Sequence, residues 1–170
     1  MRFERVSVEK LTAIIIGITI LVIAAGGVIR IYDAGESCPD WPTCFGTWGF
    51  DISEEEQKEW FDENPSEIDS RGSSHTYTSF QIFTEWIHRL LAGAVLGPLV
   101  ILNWLIIRKD EELTNEVKLA SLISILLIGW QGFLGYVTVR LDNLHWSVAL
   151  HLASALLFLM SLVWIWLATV

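Results

Sequence analysis

Asn143–Val170 reads NLHWSVALHLASALLFLMSLVWIWLATV, 28 residues without an Asp, Glu, Lys or Arg. A helix rises about 1.5 Å per residue, so roughly 20 apolar residues cross the hydrocarbon core of a bilayer. Toward the N-terminus lie three more uncharged stretches: Leu119–Val139 with 21 residues, Leu90–Ile107 with 18 and Leu11–Ile29 with 19. Together the four hold 86 of the 170 residues. Hydrophobic residues make up 52% of the chain and charged residues 18%, which excludes a disordered chain and an ordinary soluble enzyme. The pattern predicts an all-α polytopic membrane protein, a four-helix bundle forming a single membrane domain over residues 1–170. The expected transmembrane helices are about 11–31, 85–107, 118–139 and 147–169, with a long extracytoplasmic loop at 32–83.

The first stretch follows Arg2, Arg5 and Lys10, as a secretory signal would. Its apolar run exceeds the roughly 7–15 residues of a signal core, and no small-x-small cleavage site follows, so it reads as a retained helix. Orientation follows Lys and Arg near the span ends. Arg2, Arg5 and Lys10 precede the first span, and Arg108, Lys109 and Lys118 join the second to the third, whereas Arg140 stands alone after the third. This predicts a cell-membrane protein with both termini in the cytoplasm, with the 32–83 and 140–146 connections outside.

The net charge of −9 is concentrated outside: segment 32–83 carries twelve of the twenty acidic residues and only Lys58 and Arg71 as bases. That balance, and the lack of a glycine-rich phosphate loop, argue against nucleic acid. Ser53 and Glu56 form a capping-box pattern, and Asn64-Pro65 would end the helix it starts. The loop reads as a solvated lid, with Trp60 and Phe61 resting at the membrane interface. Cys38 and Cys44 enclose five residues on the side where disulfides persist. They read as a structural staple or as a redox-active pair, since short exposed loops can hold labile disulfides. Zinc is disfavoured because no second pair of ligands lies nearby.

All four histidines, His75, His88, His145 and His151, fall near one membrane face. His88 lies near the outer start of the second span and His151 about two turns into the fourth, at similar depth. Ionisable groups in membrane helices are costly and face the bundle interior. Two imidazoles at matching depth can ligate one haem iron from opposite faces, so metal binding is expected at His88 and His151, with haem between the second and fourth spans. Glu85 precedes His88 by three residues and shares its helix face, where a carboxylate can orient the imidazole or exchange protons. Arg30, Arg89 and Arg140 cluster at this depth and suit carboxylates such as haem propionates. Gly26-Gly27, Ala92-Gly93, Gly129/Gly132/Gly135 and Ala153-Ser154-Ala155 supply small residues on four spans, for close helix approach or for a flat macrocycle. Pro98 is expected to kink the second span.

Read in order, these segments resemble the haem A synthase family. Gly26-Gly27-Val28-Ile29-Arg30 is similar to its Gly-Gly-x-x-Arg signature, and Asp33–Gly46 to its loop motif with paired cysteines. Glu85-Trp86-Ile87-His88-Arg89 resembles its Glu-x-x-His-Arg motif, Gln131–Val139 its third-span motif, and His151-Leu152-Ala153 its fourth-span histidine. The resemblance implies an oxidoreductase that converts the methyl at ring position eight of haem O to a formyl group, giving haem A for terminal oxidases. It implies His88 and His151 as axial ligands of the haem iron, Glu85 as the acid near the reacting methyl, and Cys38 and Cys44 as the loop pair. Arg30 and Arg89 are matched to propionates by extension. Partners so implied are membrane lipid, haem O as substrate, a haem O synthase and a terminal oxidase. Many members have eight spans in two similar halves, one histidine pair for substrate haem and one for a haem b cofactor. This chain is similar to the half with the cysteines and the acid, and a homodimer would rebuild two sites. The alternatives are a bis-histidine haem b electron carrier and an oxidase-assembly haem-binding protein.

Overall fold

The computed structural model describes the fold of residues 2–72 and 74–170, with side chains from Val8 onward. Arg2 and Arg5, which carry part of the charge reading, have side chains outside the described residues. The helices are α1 (Arg2–Ile31), α2 (Glu54–Glu63), α3 (Ser79–Leu90), α4 (Gly97–Lys109), α5 (Asn115–Arg140) and α6 (His145–Thr169). Val8–Ile31, Ser79–Lys109, Asn115–Arg140 and His145–Thr169 are long and apolar enough to cross a membrane, so this is a multi-pass membrane protein. Among the described residues no strand exceeds the isolated bridge between Cys44 and Thr47.

The helices outrun the apolar stretches that announce them. α3 starts at Ser79, where Thr78 accepts from the Gln81 N–H and the Gln81 side chain accepts from the Thr78 N–H. α5 starts after Thr114, which caps Val117. Such caps are polar and lie outside an apolar run, so hydropathy does not see them.

α3 and α4 form one span joined by a widened turn at Leu91–Leu96. The Gly97 N–H donates to the Ala92 carbonyl, five residues back instead of four. The next residue is Pro98, which has no N–H and whose ring crowds the preceding turn. The wider turn is how this helix accommodates the proline.

The span packing is cyclic. α6 packs against α5 and α1, and α4 packs against α5 and α1, so α3–α4 and α6 occupy diagonal positions. The mid-bundle core holds Ile15, Val22, Leu96, Val100, Phe158 and Leu162. A second cluster of Val8, Ile107, Leu113, Val117 and Ile165 closes the end away from the histidines. In that half the Asn103 amide donates to Thr12 Oγ1 at 3.1 Å, tying α4 to α1 through a buried polar pair.

The α1–α3 connection is not the solvated lid expected. It has its own core of Cys38, Cys44, Phe45, Ile52, Phe61, Tyr77 and Ile82. The capping box of Ser53 and Glu56 starts α2, and Asn64 ends it, as the motif predicts. Trp60 and Phe61 are not membrane-interface anchors: their rings pack edge-on against Phe45, 5.5 and 5.6 Å away. An aromatic face covers protein as readily as headgroups, and here the loop has apolar surface to cover. Gln57, fully buried, donates to the Tyr77 carbonyl at 3.0 Å and accepts its N–H at 2.8 Å, fastening α2 to the segment before α3.

Candidate functional site

One end of the bundle opens into a cavity of about 130 Å³, lined by residues of α1, α3, α5, α6 and the connection between α1 and α3. His88 enters it from α3 and His151 from α6, the diagonal pair. The Nδ1 of each imidazole is buried with no hydrogen-bond partner. A buried polar atom left unpaired costs roughly 1–3 kcal/mol.

A glycine stands against each ring. A Cβ on Gly26 would lie 3.4 Å from His88 Cε1, and one on Gly135 would lie 3.7 Å from His151 Cε1. A methyl would just fit, and any longer side chain would occupy the imidazole's place. Gly26 lies five residues before the end of α1 and Gly135 five before the end of α5.

The two helices also end alike. The Ala34 N–H reaches back to Ile29 O at 2.9 Å, and the Asn143 N–H to Thr138 O at 3.0 Å. Asp33 and Asp142 take the left-handed conformation at these ends, with φ 52° and 47°. This cap fits a short polar residue that tolerates positive φ. Ile29 and Arg30 of α1 then line the cavity opposite Thr138 and Val139 of α5.

Glu85 is 4% exposed and lines the same cavity. Its Oε2 accepts the Cys38 N–H at 3.1 Å and lies 3.1 Å from Ser37 Oγ; its Oε1 pairs with Arg89. Arg89 Nη1 also donates to the carbonyls of Asp40 and Thr43, and Nη2 to that of Cys38 at 2.6 Å. The guanidinium expected to meet propionates is thus occupied by the loop and by Glu85. Arg30, exposed at the cavity wall, makes no ion pair among the described residues. Arg140 pairs with Glu67 at 2.6 Å and joins the loop to the end of α5.

Cys38 and Cys44 form a disulfide, and their exposures are 0% and 1%. Sulfurs so covered are shielded from an attacking thiolate, which favours the staple over the redox-active pair. Trp41, at the loop's tip, is 49% exposed, lines the cavity, and meets Tyr136 of α5 edge-on. Neither His75 nor His145 is part of the cavity lining; His75 packs on Tyr77, and His145 is exposed at the start of α6.

Beside the cavity, Arg71 gathers Asp33, Glu36 and Asp69, and donates to the Tyr77 hydroxyl at 2.7 Å, which in turn donates to Asp69. Burial pushes the Glu36 carboxyl above its ordinary range, outweighing the pull of Arg71. Burial and the bond to Asp69 raise the Tyr77 phenol. A Cβ on Gly35 would stand 2.8 Å from Asn143 Nδ2 on the α5–α6 turn, so a side chain there requires the Asn143 amide to shift.

The sequence profile of the COX15-CtaA family, described as cytochrome oxidase assembly protein, matches residues 9–170. The chain belongs to this family. It is 34% identical over 134 residues to the heme A synthase of Shewanella oneidensis, covering 79% of this chain and 37% of that one. It is 30% identical over 162 residues to the heme A synthase of Neorickettsia sennetsu, with 89% and 49% covered. The heme A synthase of Erythrobacter litoralis is 28% identical over 170 residues, with 89% and 48% covered. The chain therefore spans about half or less of the length of these relatives. No solved structure matches it.

The structure brings the expected His88, His151 and Glu85 to one cavity and joins Cys38 to Cys44. The sequence does not show that Gly26 faces His88 and Gly135 faces His151. Their signal was present as small residues on two spans, but which imidazole each faces depends on packing across the bundle. Nor does the sequence show Arg89's partners, which are backbone carbonyls.

Proposed function

We propose that this family member is a haem A synthase, oxidising the position-eight methyl of haem O to a formyl group by two hydroxylations and loss of water. The observation that carries the reading is the placement of His88 and His151 in one cavity on diagonal helices, with Glu85 in the wall beside them. The residues present suit a haem: both imidazoles have an unpaired buried nitrogen, and Gly26 and Gly135 leave the rings room. His88 and His151 would hold the iron, whose redox chemistry, when haem is bound, supplies the oxidising power.

This chain's residues divide the remaining work. Glu85, in the cavity wall, would exchange a proton with the oxygen on the reacting carbon. Arg30, exposed at the cavity wall, suits a propionate through its guanidinium fork. The methyl at position eight shares its pyrrole ring with a propionate, so an acid for the one and a cation for the other belong on the same side of the cavity. Glu85 and Arg30 both come from the α1–α3 side. The half-buried apolar side chains of Ile29, Val139 and Val148 line the cavity and would limit water around a bound macrocycle.

The same reading places both termini in the cytoplasm and the cavity near the outer leaflet. A second copy of the chain would supply a second histidine pair, for a haem b cofactor, where longer relatives have another half. The electron acceptor, haem O synthase and terminal oxidase would be transient partners.

The test is to express the chain in a host that makes haem O, extract haem from the purified protein, and identify it by chromatography and mass. Haem A or its hydroxylated intermediate is the expected result. Haem b or haem O alone on a folded, loaded protein would contradict the reading and favour an electron carrier.

A further inference from the structure

We infer that Arg89 is a positioning residue, which ties the Glu85 carboxylate to the Cys38–Cys44 loop so that the closed loop sets where the acid stands in the cavity. The catalytic consequence rests on the proposed oxidation; the clamp itself rests on geometry alone.

A guanidinium presents five N–H donors in a rigid fork. The two terminal nitrogens of Arg89 meet four acceptors: the carbonyls of Cys38, Asp40 and Thr43, and Glu85 Oε1. Three carbonyls from six residues of chain can converge on one cation only if the loop is tightly curled. The disulfide between Cys38 and Cys44 closes that curl, with Cα atoms 4.4 Å apart. The Asp40 carboxylate holds it from within, accepting the Thr43 hydroxyl and the Gly46 N–H. Glu85 completes the circuit by accepting the Cys38 N–H. Its two oxygens are thus fixed from two sides, by the loop's amide and by the cation that the loop's carbonyls hold.

The side chain of Arg89 is 13% exposed and that of Glu85 5%, so little water competes for these bonds. A hydrogen-bonded, charge-paired carboxylate in such a place has one position rather than many. The other hairpin offers a control within the same molecule. His151 is followed by Leu152 and preceded, three residues back, by Val148; it has neither acid nor clamp. Lysine cannot replace Arg89 here, because a single ammonium nitrogen does not span four acceptors on two sides.

The experiment compares wild type, Arg89→Lys and Arg89→Gln as full-length, haem-loaded protein. The first arm needs no activity. The disulfide is reduced with excess dithiothreitol, and exposed thiols are counted by alkylation and mass. Loss of the clamp should speed reduction about tenfold or more in both variants. An unchanged rate overturns the clamp, whether or not the protein makes haem A.

The second arm reads kinetics. Arg89→Lys should keep haem content and absorption spectrum, lower kcat about tenfold or more with KM within about twofold, and shift the pH profile of kcat. Adding Glu85→Gln to Arg89→Lys should lose no more than Glu85→Gln alone. Weaker haem binding with kcat retained in the loaded fraction would overturn the proposal and make Arg89 a propionate ligand. If wild type forms no formyl product, the oxidation reading fails and the first arm still decides the clamp.

Discussion

The hairpin of α1 and α3 and the hairpin of α5 and α6 present their histidines in the same way. Each sets a glycine five residues before a helix end against the imidazole of the following span, and each ends its first helix on a left-handed Asp, Asp33 or Asp142. They differ in equipment. Between Ile31 and Ser79 lies a packed, disulfide-closed segment, while between Arg140 and His145 lie four residues. Beside His88 stand Glu85 and Arg89; in the corresponding places beside His151 stand Val148 and Leu152. The likeness suits the proposed holding of one flat ligand from two sides. The difference confines the charged groups of the cavity, Arg30, Asp33, Glu85 and Arg89, to one side of it. On the proposed function, symmetric ligation and one-sided chemistry would come from the same bundle.

The largest effect expected of breaking this difference is at Glu85. Glu85→Gln should retain haem and lose formyl product by about 100-fold or more, the scale of a lost proton-transfer group. Val148→Gln, at the matching place, should change product formation by no more than about threefold. Product analysis of the two loaded variants checks this, and equal losses would mean that the hairpins share the chemistry.

The likeness is tested at the glycines. Gly26→Leu and Gly135→Leu should each displace an imidazole and destabilise the haem-loaded protein by about 1–3 kcal/mol through overpacking. Gly26→Ala and Gly135→Ala should be close to neutral, since a Cβ meets its ring at 3.4 or 3.7 Å. Haem retention during thermal unfolding measures both. A wild-type response to one leucine and not the other would show that only one glycine faces its histidine.

Smaller still is the tether between the hairpins. Arg140 is 47% exposed, so Arg140→Gln, which severs the ion pair to Glu67, should cost no more than about 1 kcal/mol. It should leave the spectrum of bound haem unchanged, as read by absorbance through a thermal melt.

The smallest effect is a pH slope in the loop. The Glu36 carboxyl is raised by burial. A raised carboxyl favours the fold while protonated, and that contribution is lost as pH rises through its folded value. Glu56 is lowered by its bonds to the Ser53 N–H and hydroxyl, so its contribution is present at neutral pH and lost on acidification. Glu36→Gln should therefore steepen the loss of stability between about pH 7 and pH 4, and Glu56→Gln should flatten it. Unfolding midpoints across that range distinguish the signs.

The four spans were legible because a bilayer demands uninterrupted apolar residues, and α2 because Ser53 and Glu56 announce its cap. The early start of α3 was not, since Thr78 and Gln81 act through backbone N–H groups within a polar stretch. Trp60 and Phe61 misled because an aromatic ring suits a headgroup layer and a small protein core equally. His88, His151 and Glu85 stood out because ionisable groups beside apolar helices are costly. Their supports did not: a glycine carries no sign of which ring it faces, and the carbonyls that hold Arg89 belong to whatever residues happen to curl around it.

The most direct test of the central claim is the low-temperature electron paramagnetic resonance spectrum of the ferric, haem-loaded protein, wild type beside His88→Ala and His151→Ala. An iron shared by His88 and His151 should give a low-spin bis-imidazole signal in wild type that either substitution abolishes, leaving high-spin iron or no haem. A low-spin signal that survives either substitution would contradict a shared iron between the two hairpins.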